Sequence, residues 1–182
     1  MSVAGNRRKV VICGGGVIGA SISYYLSTMD SSNFEICLVE RDSLACGASG
    51  KAGGFLALDW CEGSTTDKLA RESFKLHIDL ANKLNGAERY GYRCLDALAV
   101  TASLENKGIK EPPLSWLNKG VIQNTSILGG QATTAQVHPY HFTHTLWQEA
   151  EAHGAKLLHG CVQGIKYDQS GKPEGVFVDG QV

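Results

Sequence analysis

The sequence predicts an α/β fold, with a βαβ unit at the start of the chain and a β-hairpin at its end. Three observations carry this. A short apolar run, Val10 to Cys13, leads into Gly14-Gly15-Gly16-Val17-Ile18-Gly19 and then a helical pattern. A second apolar run, Phe34 to Val39, ends on an acid, Glu40. Further on, a helix opened by His138-Pro139 is followed by strand-like segments and a turn-rich hairpin. Apolar runs of four to eight residues beside glycine turns read as strands of a parallel sheet covered on both faces.

The elements follow in order. Val17 to Met29 is the first helix, ended by the polar turn Asp30 to Asn33. Arg41 to Ala57 is rich in small residues, with four glycines and three alanines between Ala45 and Gly54. That composition lets backbone lie against something flat or charged, where a solvated linker would carry no apolar residues. Thr65 to Ala87 has a stripe of Leu69, Ser73, Leu76, Leu80 and Leu84 at three-and-four spacing, which predicts a helix capped by Thr65 or Thr66 with Lys75 and His77 facing water. Tyr92 to Ala102 reads as a strand, Glu105 to Pro113 as a polar turn, Val121 to Leu128 as a strand, and Thr133 to Val137 as β-prone. Pro139 suits the first position of a helix running to about His153, with Gly154 as its C-cap. Ala155 to His159 and Cys161-Val162 form a strand pair or one bent strand, and Gly164 to Asp168 with Val176 to Asp179 form the hairpin.

Composition narrows the function classes. The chain has 182 residues, 43% of them hydrophobic and 19% charged, with a formal net charge of −1. That suits one globular domain, or one and a small addition. It gives no basic surface for nucleic acid or anionic lipid. No apolar run approaches a membrane span, and none reads as a signal peptide. The six cysteines include no CxxC pair, so a reducing compartment, the cytoplasm, is expected, with organelle import left open. Cys13 and Cys37 are expected to behave as small buried residues of their strands.

The glycine motif has a chemical reading. Gly14 makes the tight turn, Gly16 lets backbone approach a pyrophosphate, and Gly19 lets the helix pack close to the sheet. The helix N-terminus presents unpaired N–H groups and a positive dipole end to phosphates. Glu40, at the end of the second strand, accepts ribose hydroxyls and repels a 2′-phosphate. A dinucleotide such as FAD or NAD is therefore expected rather than NADP.

Gly14 to Leu26, then Val39-Glu40-Arg41-Asp42, then Gly47 to Gly54 together resemble the D-amino acid oxidase-like FAD-dependent oxidoreductases, the group of glycine oxidase, sarcosine oxidase and D-amino acid dehydrogenases. Gln136 to Thr143, followed by a helix and Gly154-Ala155, is similar to the segment where such proteins return to the flavin domain. The likeness is greatest to a eukaryotic branch of oxidoreductases related to D-amino acid dehydrogenase. The resemblance implies a Rossmann-like FAD-binding domain, a parallel sheet with the terminal hairpin, plus part of an α+β substrate or cap region. Residues 1–87 would form the first part of the FAD-binding domain, 88–137 part of the cap, and 138–182 the return segment. It implies FAD as cofactor, held by Gly14, Gly16, Val17, Ile18, Gly19, Glu40, Arg41, Ala48, Ser49, Gly50, Lys51, Ala52, Gly53, Gly54 and, through its backbone, Val162. The second flavin motif and the far half of the sheet expected of the family are absent, so the sequence reads as an N-terminal portion, a splice product or an incomplete gene model.

The expected chemistry is oxidation of a C–N bond of a small amine or amino acid by hydride transfer to flavin, which does the redox work itself. No residue reads as catalytic. Lys51 could stabilise charge on reduced flavin or contact a phosphate, and Ser49 could hydrogen-bond either. His138, His141 and His144 have metal-like spacing, but no further ligand completes a set, and no metal is expected. His138 reads as a cap for the helix. Trp60, Trp116 and Trp147 could line a pocket or the core. Cys46 and Cys61 read as buried, inert thiols, with flavin tethering unsupported by their spacing. Two alternatives stand beside this reading: a truncated, catalytically inactive FAD-binding fragment or interaction product, and an NAD-dependent dehydrogenase. Oligomeric state is not readable.

Overall fold

The computed structural model describes residues 7–29, 33–105, 114–118 and 120–181. The expected turn at 30–33 falls almost wholly outside these residues, as does most of that at 105–113. The chain forms two compact units. Residues 1–53 and 138–182 make the first, and 54–137 the second. The second is thus an insertion in the first. The helix of residues 67–83 belongs to it, although the sequence grouped that helix with the first part of the chain.

In the first unit, strand β1 (Arg8–Cys13) leads through the glycine turn into helix α1 (Val17–Met29) and strand β2 (Phe34–Glu40). Strands β1 and β2 pair in parallel from Arg8↔Phe34 to Cys13↔Val39. The one-turn helix α2 (Ala48–Lys51) ends the unit's first pass, and α5 (Pro139–Ala152) begins its second. Between them, in the second unit, lie β3 (Phe55–Ala57), α3 (Asp67–Lys83), α4 (Gly86–Tyr90), β4 (Arg93–Cys94), β5 (Ala97–Ala102), β6 (Ile122–Gly129) and β7 (Thr134–Gln136). After α5, β8 (Lys156–His159) joins β2 in parallel, from Cys37↔Lys156 to Glu40↔His159. The sheet order is β1-β2-β8, with β2 central. Strands β9 (Val162–Tyr167) and β10 (Pro173–Val178) form a separate antiparallel pair.

The core of this unit is where α1 meets β2 and α5. Its residues are small or apolar: Ala20, Ser23, Tyr24 and Ser27 of α1, Ile36, Leu38 and Val39 of β2, and Phe142, Thr143, Leu146, Trp147 and Ala150 of α5. Small side chains on facing helices allow close approach. Their hydroxyls do not strand polar groups in the core: Ser23 donates to the Gly19 carbonyl at 2.8 Å and Thr143 to that of Pro139 at 2.9 Å.

β1 departs from expectation. The sequence predicts it buried on both faces, yet only Ile12 is buried; Val11 is 41% exposed and Cys13 is exposed. Among the described residues β1 pairs with β2 alone, so its exposure is that of a strand with one neighbour in this chain. Cys37, on the central strand, is half-buried.

In the second unit, β7 lies between β3 and β4, and β5 pairs with β6, all antiparallel. The expected single strand 92–102 is broken between β4 and β5, each half following a different sheet. Helix α3 turns its buried face through Phe74, Leu80 and Ala81, with Leu84 just beyond it, while Leu69 is 68% exposed. His77 lies on that face, half-buried, and burial pushes its imidazole pKa down. The buried face is therefore rotated by about one position from the predicted stripe, because Leu69 and Leu76 are exposed. Thr66 sits at the N-cap position without a side-chain capping bond.

Candidate functional site

The site is built where β1 ends. Gly14 takes φ +106°, a conformation that glycine adopts without strain, and this turns the chain from strand into helix. Gly19 sits against the turn it follows: a Cβ there would lie 2.0 Å from the Gly14 carbonyl oxygen and 3.2 Å from Leu38 Cδ1. The missing side chain lets α1 start directly over the turn. The first N–H groups of α1 have no intrahelical acceptor. That of Val17 donates to Ser49 Oγ at 2.9 Å, so α2 caps α1 from outside.

Gly14, Gly16, Val17, Ile18, Gly19 and Ser49 line one groove of about 660 Å³, together with Val10 to Cys13 and Ile22. The sequence-predicted residues of the glycine motif thus converge with one of the loop residues. The groove combines glycine backbone, a hydroxyl and the positive end of a 13-residue helix, which is the donor set an anionic diphosphate requires. A dinucleotide fits it by that chemistry.

Glu40 reaches back to the same turn. Its Oε2 accepts the Gly15 N–H at 2.6 Å and its Oε1 accepts the Asp42 N–H at 2.9 Å. Burial pulls the carboxyl pKa upward, but the backbone N–H groups of Asp42, Gly15 and Arg41 outweigh it and hold the group below the ordinary carboxylate range. It is thus ionised at neutral pH and acts as an acceptor only. Arg41 is exposed and pairs with Asp42 at 3.1 Å. Beyond β8, the Gly160 N–H donates to the Glu40 carbonyl at 3.0 Å, which brings the start of β9, and with it Val162, to the Glu40 end of the sheet.

Residues Ala48, Ser49, Gly50 and Lys51 form α2; Lys51, Ala52 and Gly53 are exposed, and Gly54 begins the second unit. The sequence predicts loop here, whereas the structure forms one helical turn. Its small residues partly serve the loop's own packing: Ala45 takes φ +57°, its N–H donates to the Gly15 carbonyl at 3.0 Å, and Leu44 Cδ2 would lie 2.7 Å from a Cβ on Gly15. Gly15, Leu44, Ala45 and Asp42 are site residues that the sequence did not single out. For Gly15 the signal was present in the middle glycine of the run, a position that the G-x-G-x-x-G spacing leaves open.

The remaining candidates scatter. His138, His141 and His144 stack with Tyr140 along α5 instead of converging, and the His138 side chain makes no capping bond although it occupies the N-cap position. Trp147 is core, Trp60 donates to the Leu128 carbonyl at 2.8 Å, and Trp116 is 76% exposed. Trp116 borders an apolar cavity of about 250 Å³ in the second unit, with Phe55, Leu98, Val100 and Leu117. Cys46 is exposed and Cys61 half-buried, so neither is the buried thiol expected.

Comparison with known proteins fits this geometry. A Schizosaccharomyces pombe oxidoreductase-family protein, C1F5.03c, is 37% identical over 166 residues, 88% of this chain and 43% of its own length. The Saccharomyces cerevisiae protein TDA3 is 24% identical over 270 residues, covering 90% of this chain and 51% of its own. The chain thus spans about half the length of these curated relatives. Among solved structures, glycine oxidase from Bacillus cereus superposes with a TM-score of 0.69 at 23% identity, over 93% of this chain and 52% of that one. FAD-bound L-α-glycerophosphate oxidase from Mycoplasma pneumoniae superposes with 0.68 at 20%, over 97% and 51%. At such identities these likenesses concern the fold. The family profile described as FAD dependent oxidoreductase, DAO, matches residues 9–182, and the chain belongs to that family.

Proposed function

We propose that this chain binds FAD in the groove at the start of α1 and is the cofactor-binding part of an oxidoreductase acting on a C–N bond of a small amine or amino acid. The observation that carries the reading is the convergence of the glycine turn, the α1 N-terminus and Ser49 on one groove, with the ionised Glu40 bonded to the same turn through the Gly15 N–H. The N–H groups at the start of α1 would meet the pyrophosphate, while Gly14 and Gly16 let the backbone approach it. Glu40 would accept the adenosine ribose hydroxyls, with Arg41 beside it, and the Val162 backbone would meet the adenine. Ala48 to Gly54 would run beside the ribityl chain and ring, where Ser49 offers a hydroxyl and Lys51 an ammonium to developing negative charge. Bound FAD supplies the acceptor for a hydride equivalent from the substrate carbon. No residue here is assigned to proton transfer.

The choice of C–N chemistry is supported by the amino-acid-oxidising names among the structural neighbours, glycine oxidase and L-proline dehydrogenase. The glycerophosphate oxidase shows that the same fold also serves another substrate class. Membership of an FAD-dependent family favours FAD over the NAD alternative. A second reading, FAD binding without turnover, is the other outcome that the test below decides. A cytosolic location is proposed on the six unpaired cysteines, to be checked by fractionation of a tagged protein.

The test is flavin content of the purified chain, with amine-dependent flavin bleaching under anaerobic conditions. Stoichiometric FAD with bleaching supports the first reading, and FAD without bleaching by any amine supports the second. Protection against thermal unfolding by NAD and not by FAD overturns both.

A further inference from the structure

Four rings stand along the start of α5, beside the one-turn helix that carries Ser49 and Lys51. The His138 and His141 centroids are 4.3 Å apart. Tyr140 lies 5.5 Å from His141, with planes at 81°, and 4.2 Å from His144, with planes tilted 38°. The buried His144 Nε2 has no hydrogen-bond partner among the described residues, so this ring is held by packing. Tyr140 in turn meets α2: a Cβ on Gly50 would lie 3.2 Å from Tyr140 Cδ2 and 2.1 Å from the Ala45 carbonyl oxygen.

The turn 45–51 needs such support. Four helical residues make too few hydrogen bonds to hold themselves. Gly47, at the N-cap, has no side chain with which to cap it, and Ala45 takes a positive φ that alanine rarely adopts. Two contacts hold α2 from its α1 neighbour, Ser49 Oγ to the Val17 N–H and the Ala45 N–H to the Gly15 carbonyl. From α5 the contact is the Tyr140 ring against Gly50, where no side chain could take its place.

We propose that Tyr140, braced by His141 and His144, is a positioning residue that fixes the 45–51 turn and thereby sets how Ser49 and Lys51 meet the cofactor. The link to the cofactor rests on the FAD reading above; the clamp on the turn does not. The contact is made by ring carbons, so the ring and not the phenol hydroxyl carries it.

The experiment compares Tyr140→Ala, Tyr140→Phe and His144→Ala. Hydrogen exchange of residues 45–51 is measured in the cofactor-free protein, and FAD affinity by quenching of flavin emission on titration. Tyr140→Ala is expected to raise exchange of this turn about tenfold while α1 and α5 stay protected, and to weaken FAD about tenfold. Tyr140→Phe is expected to stay within about twofold of the parent on both. His144→Ala, which removes the brace and keeps the ring, shifts both in the same direction by less; it carries the test if Tyr140→Ala does not fold. Unchanged exchange and affinity in Tyr140→Ala overturn the proposal, as does a Phe variant that behaves like the Ala variant. If the parent takes up no FAD, the FAD reading fails, while the exchange comparison still decides whether Tyr140 holds the turn.

Discussion

Replacing Gly19 by alanine puts one methyl group at the tightest point of the cradle. Its Cβ would sit 2.0 Å from the Gly14 carbonyl oxygen, so that carbonyl must retreat by about 1.4 Å to reach the 3.4 Å of ordinary contact. Leu38 Cδ1, at 3.2 Å, can yield by a small rotation; a backbone carbonyl in a turn cannot. Alanine regains about 1 kcal/mol of helix propensity over glycine, whereas overpacking with backbone displacement costs about 3 kcal/mol or more. The net is a loss of about 2 kcal/mol, or about 4 to 8 °C in melting temperature for a chain of this size. The same displacement drags the turn that would face the pyrophosphate, so FAD affinity is expected to fall by about tenfold or more. Gly47→Ala is the control, since a Cβ there meets nothing within 4 Å. Melting by circular dichroism and flavin-emission titration read both effects. A Gly19→Ala protein that melts and binds FAD like the Gly47→Ala protein refutes the close-approach reasoning.

Three further outcomes are expected. Glu40→Gln removes the ionised acceptor and weakens FAD by about tenfold, or roughly 1.4 kcal/mol; affinity unchanged in the variant would show that the ribose does not meet this carboxylate. Because the Glu40 pKa is lowered in the folded state, its contribution to stability is present above the ordinary carboxyl range and lost as pH falls through the lowered value; acid melts of the parent should therefore steepen there relative to the Gln variant, and superimposable curves would contradict the assignment. Ser49→Ala leaves the Val17 N–H to water and costs about 0.5 to 1 kcal/mol in chemical denaturation.

The first 40 residues were legible because several signals agree there. The glycines of 14–19, the periodicity of α1 and the apolar run of β2 each specify the same unit, and α1 occupies Val17–Met29 as expected. Leu69 and Leu76 misled the reading of α3, since apolar residues also occur on exposed faces and two stripes a position apart both satisfy the spacing. β1 was read as buried because its composition is that of a central strand; exposure depends on which strands lie beside it, which a local run does not encode. Glu40 and Gly16 were found as parts of a known spacing. The contacts of Gly15 with Glu40 and Leu44, and of Gly50 with Tyr140, join residues far apart in the chain, and only the folded structure brings them together.

The double engagement of Glu40 has a consequence for how the chain would release its cofactor. The carboxylate already accepts backbone N–H groups, Oε2 from Gly15 and Oε1 from Asp42, with that of Arg41 also turned to it, which leaves about one of its four acceptor sites open. A ribose hydroxyl would therefore add to an anchored group without displacing its partners, and little ordering would remain to be done on binding. The reverse also holds. Protonating this one carboxylate would slacken the glycine turn and the sugar's grip together, so acid should empty the cradle in a single step, with the adenosine end letting go as the turn does.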